Sequence, residues 1–401
     1  DFAIELGINI PTGKDSLSMK QKYPNDEVIA PGTVIISAAG NCTNITKVVE
    51  PVLQRNGGNI YYLNLSQDSF KLGGSSFAQI LNKVGTDVPS ITDAAYFKTA
   101  FNTLQDAIKN RQIKAGHDVG SGGLITTLLE LSFAQVDLGA TYDLSVLGEA
   151  DTVKTLFNEN IAVVFQADAA IEALFAAQNI EIFKIGTVTE GDLVTIKNNA
   201  DTFTFNVNET RDTWFKTSYL LDAKQSRNGM AEARYANYKN QPLDYQFPAH
   251  FTGKAAVISS AVERPKAAII REKGSNSERE MANAMYLAGF DVKDVHMTDL
   301  ISGRETLEDI QFIGAVGGFS NSDVLGSAKG WAGAFLYNEK ANTALKNFFK
   351  REDTLSVGIC NGCQLWMELE LINPEHKVHG KMHHNTSNKH ESIFTSVKVQ
   401  K

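Results

Sequence analysis

The feature that most constrains how this chain can fold is a strand–turn–helix pattern at residues 355–371. Apolar residues that favour a β-strand lead into Gly-x-Cys-x-Gly at 358–362, and a segment able to form a helix follows from Gln364. Glycines on both sides allow the strained backbone of a turn that exposes its central side chain at the carboxyl edge of a sheet. The amino end of the following helix favours the thiolate, which is the attacking form of cysteine. The pattern predicts that Cys360 is a nucleophile and that Cys363, one turn into the helix, points away from the substrate.

The two cysteines permit three other interpretations. A Cys-x-x-Cys pair can be a redox couple, half of a zinc site, or two buried thiols. A zinc knuckle sits on a short hairpin, whereas this pair lies between a strand and a helix, and the redox interpretation does not explain the flanking glycines. Finger-like spacings from Cys363 can nevertheless be chosen among the histidines that follow it, which are His376, His379, His383, His384 and His390. All three alternatives remain open at this point.

Composition and charge narrow the classes of function. The 401 residues, 43% hydrophobic and 21% charged, suit two or three ordinary globular domains. A formal net charge of -8 argues against a nucleic-acid or anionic-membrane surface. Three cysteines give no disulfide framework, so we expect a reducing compartment and a cytoplasmic location. The sequence contains no apolar run of membrane-spanning length and no signal-peptide pattern. Its start at Asp1, in the middle of a regular pattern, suggests a piece of a longer protein.

Changes in pattern along the chain predict four segments. Residues 1–48 have the pattern of a strand, a glycine turn and a strand, with the second strand at 34–39 and Cys42 buried beyond it. Residues 49–200 alternate between strands and amphipathic helices. Residues 201–265 hold scattered aromatic side chains with little periodicity, and we expect a connector there. The remainder of the chain forms the fourth segment.

This fourth segment, residues 266–401, has the pattern of a doubly wound α/β domain. A capping box that begins at Ser277 opens its first helix. The strands that we expect before the cysteine strand lie at 267–271, 291–296 and 312–316. Active sites of such parallel sheets lie at the carboxyl ends of the strands. The sequence after the third strand and the cysteine turn should therefore converge.

The residues expected to converge on Cys360 suggest an oxyanion hole. Gly317-Gly318-Phe319 follows the third strand of this domain. Backbone N–H groups of Gly318, Phe319 and Asn361 could stabilise the oxyanion of an acyl-enzyme formed by the cysteine. The alternative is that the glycine pair forms only a tight turn.

Two glycine-rich loops suggest phosphate contacts. In the first, Lys14 and the hydroxyl residues after it suit an anion, but the full Walker pattern is missing and a polar turn explains the loop as well. In the second, residues 115–124 open a helix, and the N–H groups of Gly122 and Gly123 could attract a nucleotide phosphate. Asp118 beside this loop is well placed to hold Mg²⁺ between phosphates. The alternative is an ordinary helix start that Asp118 helps to cap.

The turn at 358–364 resembles the nucleophile turn of the class I glutamine amidotransferases. More narrowly, ordered motifs along essentially the whole chain resemble the phosphoribosylformylglycinamidine synthase family. Besides the cysteine turn, the motifs include Gly13-Lys14-Asp15-Ser16-Leu17-Ser18-Met19, His117-Asp118 with Gly122-Gly123-Leu124, Trp214 with Thr217-Ser218, Arg271-Glu272-Lys273-Gly274-Ser275-Asn276, Gly317-Gly318-Phe319-Ser320 and Gly330-Trp331-Ala332. Each motif is common alone, and their shared order makes the resemblance specific.

The resemblance implies a glutamine-dependent ligase of purine biosynthesis. In that family a cysteine releases ammonia from glutamine, and the ammonia travels to a distant site where ATP has activated formylglycinamide ribonucleotide. The implied fold is an α+β domain like aminoimidazole ribonucleotide synthetase, at about 49–200, followed by a flavodoxin-like glutaminase domain. Residues 1–48 would end the N-terminal subdomain of the same repeat, and the missing N-terminal half of the chain would be a partner. By motif position, Cys360 is the nucleophile, Asp118 a ligand of Mg²⁺ and Lys14 a phosphate contact of ATP or ADP.

The sequence departs from the family pattern in three places. The glycine-rich loop at 117–123 lacks a serine and a second acid, and the segment at 319–323 differs from the usual Phe-Ser-Tyr-Gly-Asp. The catalytic His-Gly-Glu segment is absent, and its nearest counterpart, at 379–381, lacks the acid. Without that base the thiol must rely on the turn and the helix, so we expect no complete reaction from this chain alone. Alternatives of other classes are a stand-alone α/β cysteine hydrolase and a non-catalytic zinc or redox module.

Overall fold

The computed structural model describes residues 2–13, 19–30, 34–240, 243, 246–247, 249–254 and 263–398. The chain forms two compact units, 1–221 and 222–401, and each is described by itself. Lys14 and the hydroxyl residues after it, up to residue 18, lie outside the described residues. Among the described residues, no helix is long and apolar enough to cross a membrane. The boundaries expected from the sequence, after residues 48, 200 and 265, remain a prediction.

The first unit combines a hairpin with a six-stranded sheet and its helices. Its elements in chain order are α1 (Phe2–Leu6), β1 (Lys20–Tyr23), β2 (Asp26–Ile29), β3 (Asn59–Asn64), α2 (Ser76–Ile80), α3 (Ala94–Lys109), β4 (Ile113–Asp118), α4 (Gly123–Phe133), β5 (Leu138–Asp143), α5 (Thr152–Phe157), β6 (Ala162–Ala167), α6 (Ile171–Ala176), β7 (Phe183–Asn198), β8 (Asp201–Asn206) and α7 (Val207–Gln225). Short 3-10 helices lie at Ile45–Lys47 and Leu144–Leu147.

The large sheet of this unit is buried on both faces. Its strand order is β4-β6-β3-β7-β5, and β8 pairs with β7. Side chains alternate between the faces of a strand, so Ile60 and Tyr62 of β3 join one core with α4, whereas Tyr61 and Leu63 join a second core with α3 and α6. A central strand covered on both sides has to be apolar at successive positions. This explains the unbroken apolar run in β3.

The first 48 residues differ from the expected strand–turn–strand. The chain begins with a short helix, and the antiparallel hairpin β1–β2 has every residue exposed. Residues 34–39 are exposed and belong to no helix or strand, because an apolar segment forms a stable strand only when a neighbour pairs with it. Cys42 is exposed rather than buried.

The expected connector contains regular structure. Strand β8 pairs with β7 from Leu193–Asn206 to Asn198–Asp201, and the 19-residue helix α7 follows it directly. Trp214 packs on Phe133 with ring centroids 5.6 Å apart, and its Nε1 donates to the Glu130 carboxylate. The sequence pattern does not predict this helix. Only one of its residues is fully buried, so its apolar side chains show little periodicity.

The second unit is a parallel sheet with helices. Its first residues, 222–225, are the end of α7. Its further elements are α8 (Met230–Asn237), β9 (Lys266–Arg271), β10 (Ser275–Asn276), α9 (Glu278–Leu287), β11 (Asp291–His296), α10 (Met297–Ser302), β12 (Phe312–Ala315), β13 (Gly317–Gly318), α11 (Lys329–Leu336), α12 (Glu339–Lys350), β14 (Leu355–Gly358) and α13 (Asn361–Glu368), with a 3-10 turn at Ser320–Asp323. The three strands expected before the cysteine strand are confirmed to within one residue at each end.

The strand order β11-β9-β12-β14 is that of a doubly wound fold, and all three pairings are parallel. Strands β12 and β14 are neighbours, with Ala315 opposite Gly358 at their carboxyl ends. The segments that leave these two strands therefore meet at one edge of the sheet. The core beneath this edge contains two wholly buried indoles, Trp331 and Trp366.

The predicted capping box at Ser277 is wrong. Ser277 has φ 71°, in the left-handed region, and makes no side-chain bond to the start of α9. Its hydroxyl donates instead to the Asn276 side chain, 3.2 Å away. A capping serine needs an extended backbone to direct its oxygen at the helix N–H groups. The helix itself is confirmed.

Candidate functional site

Cys360 sits in a strained turn between β14 and α13. Its backbone has φ 54° and ψ -112°, a conformation that non-glycine residues rarely adopt. The thiol is exposed, and the helix starts at the next residue, Asn361. This is the geometry that the glycine-flanked pattern predicts for a nucleophile. Cys363 lies inside α13 and is half-buried.

Both glycines of the turn are explained by close backbone packing. A Cβ atom on Gly358 would lie 2.6 Å from the carbonyl oxygen of Gly362 and 2.6 Å from Cδ1 of Trp366. A Cβ atom on Gly362 would overlap the carbonyl oxygen of Ala315 at the end of β12. The start of α13 is therefore pressed against the two strand ends, and only glycine fits at both positions.

The predicted convergence of Gly317 and Cys360 is found. A Cβ atom placed on Gly317 would lie 3.2 Å from Cβ of Cys360 and 3.8 Å from its sulfur. The Ile359 N–H donates to the Ala315 carbonyl at 3.0 Å, which joins the cysteine turn to the end of β12. The glycine pair therefore lies next to the thiol.

The donors expected for the oxyanion hole are only partly available. The Phe319 N–H donates to the Gly274 carbonyl at 3.0 Å, so it already has an acceptor within the protein. Gly318 pairs with Ser275 in the short β10–β13 ladder. The N–H of Asn361, by contrast, belongs to the first residue of α13 and has no acceptor within its own helix.

Two further side chains at this edge were not predicted from the sequence. Asn361 Oδ1 accepts from the Ser320 hydroxyl at 2.6 Å and from the Ser320 N–H at 3.3 Å. Asn361 Nδ2 donates to Gln364 Oε1 at 2.9 Å. Both Asn361 and Ser320 are about 1% exposed. The polar type of the residue after the cysteine was a signal for this contact, because a buried amide needs a partner.

Among the residues that the structure describes, no histidine contacts the thiol. All eight histidines lie in the described part of the chain, and none of them is within hydrogen-bonding distance of the Cys360 sulfur. His379 faces Glu370, with 3.7 Å between Nε2 and Oε2. A stand-alone hydrolase would need a histidine in contact with the thiol, so this arrangement gives that alternative no support.

The zinc and redox interpretations are not supported by the cysteine contacts. The three cysteines are free thiols. Within the described ranges, no group of three or more His, Cys, Asp or Glu side chains is placed to hold a metal ion. Cys360 and Cys363 thus lack both a disulfide and a set of metal ligands.

The second candidate site lies in the first unit, where β4 runs into α4. Asp118 ends β4, and its side chain is 83% exposed. His117 Nε2 lies 2.9 Å from the Glu130 carboxylate, and its Nδ1 lies 3.4 Å from Asp118 Oδ1. The Glu130 hydrogen bond raises the pKa of His117. No group of three or more possible metal ligands lies together in the described residues, so Asp118 would need phosphate oxygens and water to complete a magnesium site.

The two glycines of this loop have internal partners. The Gly122 N–H donates to Glu159 Oε1 at 2.9 Å, and the same oxygen accepts from the Ser76 N–H at 2.8 Å. The Gly123 N–H donates to Gly120. Both glycines have positive φ, 94° and 77°, and a Cβ atom on Gly123 would lie 2.6 Å from the Phe157 backbone. Packing therefore explains the glycines without a phosphate.

Three family models match consecutive parts of the chain. Residues 1–41 match the FGAR-AT PurM_N-like domain, residues 55–198 the C-terminal domain of AIR synthase related proteins, and residues 264–401 the CobB/CobQ-like glutamine amidotransferase domain. A probable chloroplastic/mitochondrial phosphoribosylformylglycinamidine synthase of Arabidopsis thaliana is 38% identical over 99% of this chain. The chain spans 29% of that relative's length.

Solved structures give a much weaker likeness. PurL of Thermotoga maritima complexed with ATP has a TM-score of 0.32 and 16% identity, over 41% of this chain and 27% of its own. The same protein complexed with FGAR has a TM-score of 0.35 and 14% identity, over 41% and 29%. Scores at this level support no structural conclusion. The sequence matches confirm the expected resemblance: the chain is similar to phosphoribosylformylglycinamidine synthase over nearly its whole length, and it matches models of a synthetase-like domain and a glutamine amidotransferase domain.

Proposed function

We propose that this chain forms the second synthetase-like repeat and the glutaminase domain of a glutamine-dependent ligase. The whole enzyme would convert formylglycinamide ribonucleotide into its amidine with ATP, and the ammonia would come from glutamine at Cys360. The observation that carries the proposal is the backbone of Cys360, held at φ 54° and ψ -112° between a parallel strand and a helix. Strain of this kind persists at sites where it positions a reacting group.

The glutaminase step uses the residues at the strand edge. The Cys360 thiolate attacks the amide carbon of glutamine, and the amino end of α13 favours the negative sulfur. Charge then moves to the amide oxygen, where the Asn361 N–H stabilises it. The C–N bond breaks, nitrogen leaves as ammonia after taking a proton, and water hydrolyses the thioester to glutamate. The described residues supply no base for these proton transfers, so turnover by this chain alone should be very slow.

The nucleotide part of the proposal concerns the first unit. ATP or ADP would contact Lys14 and the loop beside Asp118, and Asp118 would be the residue that holds Mg²⁺, whose charge would help to neutralise the phosphates. The Gly122 N–H could bind a phosphate only after it releases Glu159. Asp118 is the better candidate contact, because its carboxylate is exposed. The cytoplasmic location stays a prediction from the cysteine content.

Labelling with a diazo-ketone analogue of glutamine tests the proposed nucleophile. The 401-residue chain is reacted in parallel with its Cys360→Ser and Cys363→Ser variants, and adducts are mapped by peptide mass spectrometry. We expect an adduct on Cys360 that survives the loss of Cys363 and that an excess of glutamine suppresses. Labelling of both cysteines at similar rates, or labelling that glutamine does not reduce, would overturn the proposal.

A further inference from the structure

The loop that follows β12 is joined to the nucleophile turn by one buried side-chain contact. Ser320 begins a 3-10 turn directly after Gly317-Gly318-Phe319, and Asn361 directly follows Cys360. The Ser320 hydroxyl donates to Asn361 Oδ1 at 2.6 Å, and the Ser320 N–H donates to the same oxygen at 3.3 Å. One amide oxygen therefore accepts both donors of Ser320.

The orientation of this amide is set from its other side. Asn361 Nδ2 donates to Gln364 Oε1 at 2.9 Å, so the nitrogen faces α13 and the oxygen faces the loop. Both Ser320 and Asn361 are about 1% exposed, and water cannot replace either partner easily. A buried polar group that loses its partner is strongly disfavoured, so this contact tolerates little displacement.

The loop requires such a contact because its backbone is strained. Asn321, Ser322 and Asp323 all lie in the left-handed region, with φ values of 51°, 57° and 50°. Non-glycine residues keep this conformation only where surrounding contacts hold it. The Asn321 N–H donates to the Lys273 carbonyl oxygen at 2.7 Å. On the side that faces the cysteine turn, the loop is held by the hydrogen bonds between Ser320 and Asn361.

We propose that Ser320 and Asn361 are positioning residues that hold the Gly317-Gly318-Phe319 segment beside the Cys360 thiol. This inference rests on the proposed glutaminase function. Asn361 thereby has two separate roles. Its backbone N–H faces the reacting amide, and its side chain fixes the segment Gly317-Gly318-Phe319 through Ser320. Loss of the Ser320 hydroxyl lets this segment shift, and a carbonyl substrate then loses its alignment with the sulfur. A small alkylating reagent needs no such alignment and is not affected.

The test compares two reagents on the same thiol. Rates of Cys360 modification by the diazo-ketone glutamine analogue and by iodoacetamide are measured for the 401-residue chain, for Ser320→Ala and for the control Thr354→Val. The Thr354 hydroxyl donates to the carbonyl oxygens of Phe348 and Arg351, and Thr354 precedes the first residue of β14, whereas Cys360 follows its last. Its replacement therefore removes hydrogen bonds away from the site. We expect Ser320→Ala to lower the ratio of the two rates about tenfold, as small misplacements of reacting groups do. Thr354→Val should leave the ratio unchanged.

A second measurement separates this inference from the proposed function. Hydrogen–deuterium exchange of peptides that cover residues 316–325 should be faster in Ser320→Ala than in the parent chain, and unchanged in Thr354→Val. If the parent chain is not labelled by the glutamine analogue, the proposed function fails, and exchange still decides whether the contact holds the loop. An unchanged rate ratio, or exchange in Ser320→Ala equal to that of the parent, would refute the positioning role.

Discussion

Glu159 occupies the position that the sequence pattern assigns to a phosphate: its Oε1 lies 2.9 Å from the backbone nitrogen of Gly122. The same oxygen accepts the Ser76 N–H at the start of α2. An internal carboxylate thus binds the starts of two helices together. A nucleotide that used the Gly122 N–H would have to displace this contact.

Glu159→Ala should therefore destabilise the first unit. Two backbone donors lose a charged acceptor, which costs about 1.5–3 kcal/mol in the free energy of unfolding. Urea unfolding of this variant, followed by circular dichroism, measures the loss. Replacement of the exposed Glu181 by alanine is the control and should change stability by less than about 0.5 kcal/mol. Equal stabilities of the two variants would show that Glu159 holds neither helix start.

Because the backbone of Cys360 is strained, glycine should be more stabilising than alanine at this position, which is the reverse of their order inside a helix. Glycine adopts φ 54° and ψ -112° without a Cβ penalty, so Cys360→Gly should be more stable than Cys360→Ala by about 1 kcal/mol. At Cys363, inside α13, the order should reverse by a similar amount, about 1 kcal/mol, because glycine weakens helices. Thermal unfolding of the four variants measures both differences. The same order at the two positions would contradict a strained turn.

The turn glycines should differ from an ordinary helical glycine. In Gly362→Ala the new methyl group overlaps the Ala315 carbonyl, and overpacking of this kind costs about 1–3 kcal/mol. Gly333 in α11 is the matched control, since a Cβ there would meet only the Tyr337 ring at 3.7 Å. Gly333→Ala should gain about 0.5–1 kcal/mol from helix propensity. Melting temperatures that fall for the first variant and rise for the second would confirm the close packing at the cysteine turn.

The acid stability of the second unit should depend on Asp222. Hydrogen bonds from Lys389, then from Ser226 and Arg234, hold the pKa of Asp222 at about 2, below its usual 3.8. Because the pKa is lower in the folded state, the stabilisation is fully present above the unfolded value, and it is lost as the pH falls towards 2. Asp222→Asn should therefore be less stable than the parent at pH 7, and the two should converge near pH 2.

Chemical unfolding between pH 2 and pH 7 measures this dependence. Glu375→Gln, which replaces an exposed carboxylate of the same unit, serves as the control and should change the stability at pH 7 far less than Asp222→Asn does. Arg234 also binds Glu391 at 3.0 Å, so the same group of charges ties α8 to residues near the end of the described chain. A stability difference for Asp222→Asn that stays constant down to pH 2 would contradict the assigned pKa.

Several features of the fold and the site could be predicted from neighbouring residues. The strands β3, β6, β9, β11 and β12 and the helices α3 and α9 follow from runs of apolar or periodic side chains. The nucleophile turn follows from Cys360 and its two glycines. The expected strand at 34–39 and the burial of Cys42 are wrong, because both depend on partners that a local pattern does not specify. Helix α7 was missed for a related reason, since its contacts to Glu130 and Phe133 need few apolar residues.

The sequence by itself determined the order of domains, the strand–turn–helix around Cys360 and the family to which these domains are similar. These properties reside in residues that are close together in the chain or in motifs that follow one another. Only the tertiary structure decided which polar groups meet, as for Ser320 with Asn361, 41 positions apart, and Gly122 with Glu159, 37 positions apart. Hydrogen bonds depend on distances of a few tenths of an ångström and on burial, and both are set by how the strands and helices pack.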